Sequence, residues 1–520
     1  MEVVVWLIGV VLRVLNVLLA PLYWLRARDS RRLPPIRDPL LMRSATDLAR
    51  GIRTGELTSE QVVTAFIERV KEVNPYLNAV VDERYREAIE EARALDRQMK
   101  EARRAGNLEE LLKDKPLYGL PFTVKESCSV AGLSDSVGWC EAAGRRAARD
   151  GGAVLGVRAG GARPLLASRT PELCLGWETA TLRHRTHNPY RTARTPGGSS
   201  GGEAALVASG ASPLSVASDI AGSIRIPAAF CGVFGHKATP GIIPIDGHVP
   251  TLTDEKFSKF LSVGPMCRFA EDLPLLMNVM AGEKRHLLNL DQPVDISQIK
   301  VFYMTEASKS WAFIPVEQCI RDAILNCVQY LHKECGAQLS EKKFKDLEDS
   351  FEMSISLFFS MKDIPNLLQD PANPKRDKSL IVELLKHIFG GATRSLQGLG
   401  FALINKTKLF IPASRRKFYE QKAEILRQEI VSTLGTNGVL LYPAHCGLAH
   451  EHGRVYTRAS GVLYSMPLNV LGLPATVAPL GLHAGLPVAV QVIAGPYQDR
   501  LCLAVAKQLE IGFGGWRPPS

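Results

Sequence analysis

One lysine and a crowd of serines and glycines between residues 115 and 237 have the types and spacing for nucleophilic chemistry. The stretch "TPGGSSGGEAALVASGASPLSVASDIAGSIRIP", residues 195–227, is rich in hydroxyls and contains no histidine. Gly/Ser runs are often linkers. Here, however, "AALVA", "LSVAS" and "IRIPAAF" are apolar enough to be buried, and Asp219 and Arg225 stand among them as an ion-pair candidate. Such a segment reads as a loop whose backbone approaches a ligand, followed by a packed stretch that presents a reactive serine. Lys125 is the only lysine between Lys115 and Lys237, and it lies in the apolar run "LPFTVKE". A lysine can serve as the base for a serine when burial and dipoles bring an amine down from its ordinary pKa of about 10.4.

Other chemistries fit less well. A P-loop needs a lysine directly after the glycines, and none follows. "GGSSGG" does not keep the Gly-x-Gly-x-x-Gly spacing of a dinucleotide site. "AGSIR" lacks the second glycine of a Gly-x-Ser-x-Gly elbow. For a histidine triad the nearby candidates are His184, His187 and His236, none of them within the serine stretch. "AHCGLAHEHG" places His445, Cys446, His450 and His452 close together, but in no common zinc spacing, so solvated or substrate-facing histidines are expected there and no metal or other cofactor. The ten cysteines form no Cys-x-x-Cys pair and read as buried free thiols.

These residues need a scaffold. At 520 residues the chain can form one large α/β domain or two domains. Thr58 and Gln61 form a capping box, and Val62, Val63, Phe66, Ile67, Val70 and Val73 make a helical stripe that Pro75 should end. A charged helix is expected over 83–104. "LPFTVKE" reads as a short strand carrying Lys125 near its end, and "GAVLGVRAGGARPLLAS" as helix, turn and strand. "NGVLLYPAH", "GLPATVAPLG" and "GLPVAVQVIAGP" read as later strands of the main sheet and "DRLCLAVAKQLEI" as the last helix. This alternation argues an α/β fold with a mixed sheet covered by helices. Residues 290–430 read as an elaboration of that core.

The N-terminus, "MEVVVWLIGVVLRVLNVLLAPLYWLRARDSRR", is apolar from Val3 to Leu25 except for Arg13 and Asn16, long enough for one membrane helix. An arginine at mid-membrane costs about 2.5–3.5 kcal/mol on insertion scales, so spanning and interfacial attachment both stay open. The net charge of +10 owes much to arginines near this end, including Arg26, Arg28, Arg31 and Arg32, which suit a membrane surface better than a nucleic-acid groove. Residues 1–30 are therefore expected as an anchor, 31–44 as a linker and 45–515 as the catalytic domain. Within 380–419, Leu385, Ile388, Phe389, Leu396, Leu399, Phe401, Leu403, Leu409 and Phe410 interleave with Lys386, Arg394, Lys406, Lys408, Arg415, Arg416 and Lys417. That pattern suits either a lipid-dipping cap or two packed amphipathic helices.

"GLPFTVKE", then "GGSSGGE", then "SDIAGSIRIPAAFCGVFGHKATPG" resemble the amidase signature family, over roughly residues 45–290 and 435–515. The resemblance implies a Ser–cis-Ser–Lys triad that hydrolyses amides, with Ser223 as nucleophile, Ser199 as bridging serine after a cis Gly198–Ser199 bond, and Lys125 as base. It implies an oxyanion hole from the N–H groups of Ile220, Ala221, Gly222 and Ser223, with Ser200, Asp219 and Arg225 in support. Ala221 and Ala489 replace glycines that the family often has. "HNPYRTARTPGGSSGGE", "VGPMCRFAEDL" and the C-terminal "FGGW" are most similar to the branch acting on fatty acid amides. The implied substrates are long-chain N-acylethanolamines and primary fatty amides, at the endoplasmic reticulum or another intracellular membrane, with homodimer formation left open. The alternatives are the glutaminase subunit of a tRNA-dependent amidotransferase, or a membrane-bound binding protein with a decayed site.

Overall fold

The computed structural model describes residues 1–28, 30–370, 373–407 and 411–519. The described residues form thirteen short strands interspersed with helices: Val80–Glu83 (β1), Pro121–Lys125 (β2), Arg163–Ser168 (β3), Leu214–Asp219 (β4), Phe234–Lys237 (β5), Ser262–Cys267 (β6), Lys300–Tyr303 (β7), Gln338–Leu339 (β8), Gln369–Asp370 (β9), Asn373–Asp377 (β10), Gly438–Tyr442 (β11), Ala475–His483 (β12) and Leu486–Ile493 (β13). Eleven of them form one mixed sheet in the order β1-β3-β2-β4-β6-β5-β12-β13-β11-β7-β8, while β9 and β10 pair only with each other. β7 and β8 fall within 290–430, so that part of the chain extends the main sheet itself.

β2 is parallel to both β3 and β4, with Lys125 opposite Ser168 and Val124 opposite Val216. Lys125 and Asp219 therefore close neighbouring strands at the same edge of the sheet. Outside the carboxyl ends of parallel strands is where open α/β sheets place ligands. β2 and β4 are buried along their whole length, as expected of strands covered on both faces.

The capping box at Thr58 and Gln61 is present, and the expected apolar stripe faces the core at 0–1% exposure. Pro75 does not stop this helix, which runs Ser59–Leu77 and ends at Asn78 in the left-handed conformation. A proline so near the C-terminus forgoes only its own N–H bond before the chain turns anyway. The charged helix spans Tyr85–Ala105.

The expected single apolar helix at the N-terminus is instead two, Val3–Leu18 and Ala20–Arg26, bent by 49°. Pro21, at the start of the second, explains the break. No single described helix is long and apolar enough to cross a membrane, although the bent pair reaches that length and composition together. Arg13 turns inward: its Nη1 donates to the carbonyls of Trp311 and Phe313, both at 3.2 Å, and the guanidinium covers the Trp311 ring. Asn16 is also held by the protein, its Oδ1 accepting from Arg454 Nε at 2.9 Å and Thr457 Oγ1 at 3.2 Å. Leu7, Val11, Val14, Leu18 and Trp24 stay exposed on the outer side.

The 380–419 stretch divides. Leu385, Phe389, Leu396 and Leu403 are exposed, whereas Leu399 is buried and Phe401 stacks on Phe359 at 5.2 Å. Arg394 is not a surface cation. It is buried, donating to the Leu367 carbonyl at 2.7 Å and pairing with Glu141. Lys408, Leu409 and Phe410 lie outside the described residues, as does the side chain of Ile388.

Candidate active site

β2 delivers Lys125 to the sheet edge with no exposure to solvent. Its Nζ meets Ser199 Oγ at 2.7 Å, Ser218 Oγ at 2.9 Å and the Ser218 carbonyl at 3.3 Å. These recorded partners are all uncharged.

Ser199 follows a cis Gly198–Ser199 peptide and precedes the fully buried helix Gly201–Ala208. Glycine is required at 198, because a Cβ there would lie 2.6 Å from the Gly176 carbonyl oxygen and 2.8 Å from the Glu178 nitrogen. Thr179 pins the segment, its Oγ1 donating to the Gly197 carbonyl at 2.8 Å and accepting the Gly201 N–H at 3.0 Å. Glu203, one turn into the helix, accepts the Thr123 hydroxyl at 2.6 Å, and burial raises its carboxyl to about 7.

Ser223 lies in the turn between β4 and the helix Arg225–Cys231 and is 4% exposed. Ser200 joins this turn to the Ser199 loop. Its N–H donates to the Ser223 carbonyl at 3.1 Å and its hydroxyl to the Ser218 carbonyl at 3.2 Å. Lys125 and Ser199 are thus in direct contact, while Ser223 is brought beside them through Ser200. No hydrogen bond between the Ser199 and Ser223 hydroxyls occurs among the described contacts.

Asp219 and Arg225 form a fully buried ion pair, with Arg225 Nη2 at 2.9 Å and Nε at 3.0 Å from the carboxylate. The carboxylate also accepts the N–H groups of Gly222 at 2.8 Å and Ile224 at 3.0 Å. Burial alone would raise the Asp219 carboxyl, but Arg225 outweighs it and holds the carboxyl well below the usual range. Asn469 and the Ser465 carbonyl complete the shell around Arg225, at 2.6 Å and 2.8 Å.

The Gly222 N–H, expected among the oxyanion donors, is directed at the Asp219 carboxylate in this structure. Among the described residues no protein acceptor takes the N–H groups of Ile220, Ala221 or Ser223. Gly222 is needed for the turn itself, with φ of +98° and Ser465 Cβ only 2.6 Å from where a Cβ would stand. Ala221 sits at an ordinary φ, so its methyl is tolerated, and its carbonyl accepts Trp177 Nε1–H at 3.0 Å. Ala221 packs with Trp177, Phe351 and Phe358 against Ile226, Phe230, Val462 and Met466. An apolar wall therefore adjoins the turn. Ala489 sits within β13, opposite Pro479.

The other histidine expectations change. His445 and His450 are buried rather than solvated, each edge-on to Phe230. His236 binds Asp499 and Thr476, and His187 contacts His452. Among the described residues no three His, Cys, Asp or Glu side chains gather as metal ligands. Reading the sequence missed Ser218, which meets Lys125 directly, and His248, whose Nε2 is 2.9 Å from Ser218 Oγ. His248 is placed by pairing of distant backbone segments, for which the sequence carries no local signal. Ser218 directly precedes Asp219, and β4's alternation could have marked it.

The amidase family profile matches residues 61–503. The chain is 38% identical to fatty-acid amide hydrolase 2-A of Danio rerio, over 94% of this chain and 92% of that protein. It is 36% identical to human fatty-acid amide hydrolase 2, over 99% and 96%. A solved structure of a fatty acid amide hydrolase superposes with a TM-score of 0.75 at 21% identity, covering 92% of this chain and 87% of that one.

Proposed function

This chain belongs to the amidase family and is an amide-hydrolysing enzyme, and from that premise we propose that it cleaves fatty acid amides through an acyl-enzyme on Ser223. The observation that carries the reading is the 2.7 Å contact between the buried Lys125 amine and Ser199, beside the turn that bears Ser223. Lys125, as the free amine, takes the Ser199 proton while Ser199 takes that of Ser223. The Ser223 oxygen then attacks the amide carbonyl. The Ser223 hydroxyl closes on Ser199 as substrate binds, since catalytic hydrogen bonds often tighten only in the complex. The N–H groups of Ile220, Ala221 and Ser223 receive the oxyanion, and one such donor is worth about 2.7–4 kcal/mol. The proton returns along the relay to the leaving nitrogen as the C–N bond breaks. Water activated by the same relay then releases the fatty acid and restores Ser223.

Two observations support a fatty acyl group. The fatty-acid amide hydrolases match at 36–38% identity, against 27–29% for amidotransferase subunits A that match over as much of their length, and the wall beside the turn is built from Trp177, Phe351, Phe358, Val462 and Met466. That lining suits an alkyl chain and not the charged end of glutamine, which weighs against the amidotransferase reading. A Lys–Ser contact that is intact weighs against a decayed site.

Membrane attachment is part of the reading, in an interfacial form. The inward polar contacts of Arg13 and Asn16 leave an outer apolar face on the two N-terminal helices, suited to lie among headgroups and acyl chains. The test of function is hydrolysis of N-acyl amides of increasing chain length by detergent-extracted protein. We expect kcat/KM to rise with chain length and Ser223→Ala to be inactive yet folded. A preference for glutamine, or turnover by Ser223→Ala, would refute it.

A further inference from the structure

Lys125 has a second set of contacts besides the one to Ser199. Ser218 Oγ, 2.9 Å from Lys125 Nζ, lies also 2.9 Å from His248 Nε2 and 3.2 Å from Ser127 Oγ. His248 is buried, and its Nδ1 is 2.8 Å from the Pro250 carbonyl. The ring is carried there by backbone pairing of residues 247–249 with residues 127–129, just after β2. Val249 N–H donates to the Ser127 carbonyl at 2.8 Å and Ser129 N–H to the Gly247 carbonyl at 3.1 Å.

The hydrogen on the His248 ring is fixed by elementary constraints, and with Ser127 Oγ donating to Ser218 the remaining directions follow from it. A carbonyl can only accept, so Nδ1 of His248 carries the hydrogen that meets Pro250. Burial pushes the imidazole pKa down to about 3, so the ring is neutral at working pH and Nε2 holds a lone pair. Ser218 has one hydrogen. Given to Nε2, it leaves the Ser218 lone pairs to accept from Lys125. Lys125 as the amine has two hydrogens, which go to Ser218 Oγ and the Ser218 carbonyl, and one lone pair, which is left for the Ser199 hydroxyl. Without the imidazole, Ser218 is free to turn its hydrogen onto the Lys125 lone pair and compete with Ser199.

Resting on the reading of Lys125 as the base, we propose that His248 is a positioning residue which, through Ser218, holds the Lys125 lone pair on Ser199. Among the described hydrogen bonds His248 makes none to Lys125, Ser199 or Ser223. It orients the base from behind, and its accepting nitrogen is the feature that matters.

The test is the pseudo-first-order rate at which a fluorophosphonate phosphonylates Ser223, with release of fluoride, in the full-length, detergent-solubilised protein. His248→Phe keeps the ring volume and removes the acceptor, so the rate should fall about 10- to 100-fold, a fraction of what general-base catalysis contributes. His248→Gln, whose side-chain oxygen can accept from Ser218, should recover most of it. Because His248 acts only through Ser218, the Ser218→Ala/His248→Phe double variant should be no slower than Ser218→Ala alone, whereas independent packing effects would multiply. Wild-type rates in His248→Phe, no recovery in His248→Gln, or multiplying effects would overturn the proposal. A measurement independent of variant folding is 15N NMR of histidine-labelled wild-type protein. It should show His248 neutral with its hydrogen on Nδ1, and a hydrogen on Nε2 would overturn the proposal. Lys125→Ala in the same assay separates the two readings. If it too keeps the wild-type rate, the base assignment and this inference fall together. If Lys125→Ala is slow and His248→Phe is fast, only the role of His248 falls.

Discussion

Asp219→Asn should damage stability and catalysis together, because one buried carboxylate holds both the ion pair and the turn. Six donors converge on it: the backbone N–H groups of Gly222, Ile224 and Arg225, Arg225 Nε and Nη2, and Asn469 Nδ2. Asparagine offers one accepting oxygen and turns an amide donor toward other donors. It also leaves the Arg225 guanidinium fully buried with no counter-charge. Breaking a buried pair from one side costs about 3–5 kcal/mol. At ~2.1 cal/mol/K per residue, 520 residues have an unfolding entropy of about 1.1 kcal/mol/K, so the melting temperature should fall by roughly 3–5 °C. Loosening the turn misdirects the Ile220, Ala221 and Ser223 donors, and losing one such donor lowers kcat by about 100- to 1,000-fold. Differential scanning fluorimetry and amide turnover below the melting range give both numbers. A variant that melts within a degree of wild type and keeps its kcat would refute the argument that this carboxylate organises the turn.

Lys125→Ala should lower kcat by about 100- to 10,000-fold near neutral pH and steepen its rise in alkali, where hydroxide partly replaces the base; an unchanged pH–rate profile would place the base elsewhere. Burial raises the Glu203 carboxyl to about 7, so it is mostly protonated only below that pH. An acid with a raised folded pKa favours folding below its unfolded value near 4.3, and this advantage drains away as pH climbs from there to about 7, by up to ~3–4 kcal/mol. Glu203→Gln keeps an acceptor for Thr123 and should flatten that slope, so melts at pH 5 and pH 8 that fall equally in both proteins would contradict it. Leu7→Glu, Val14→Glu and Leu18→Glu, placed together on the outer face of the N-terminal helices, should abolish flotation with anionic liposomes and leave the melting temperature unchanged. Undiminished flotation would exclude that face as the membrane contact.

What was legible in the sequence was local. The apolar run of β2, the capping box at Thr58, and the alternation after residue 438 each follow from spacing and turn residues, and each formed where expected. The Lys125–Ser199 contact was legible because a long motif carries it. Two kinds of feature were not. One is commitment of a donor: nothing in "SDIAGS" says that the Gly222 N–H turns back to Asp219, since that depends on Gly222 adopting a φ of +98° in the folded turn. The other is contact across the chain. His248 reaches Ser218 from 30 residues away, and Arg13 finds the Trp311 and Phe313 carbonyls from about 300. Periodicity made Arg13 look like a charge inside a membrane span, and only the packing of that helix on the body shows where the guanidinium goes. Pro21 could have warned that the apolar run was not one helix.

The most direct test of the central claim is to catch the acyl-enzyme. Protein mixed with a long-chain fatty amide and quenched in acid within the first turnovers is digested and mapped by mass spectrometry. The expected result is a fatty acyl ester on the peptide containing Ser223, absent from Ser223→Ala and slow to form in Lys125→Ala and Ser199→Ala. An acyl group found on another residue, or substrate turnover with no acylated species in wild type and undiminished turnover in Ser223→Ala, would contradict it.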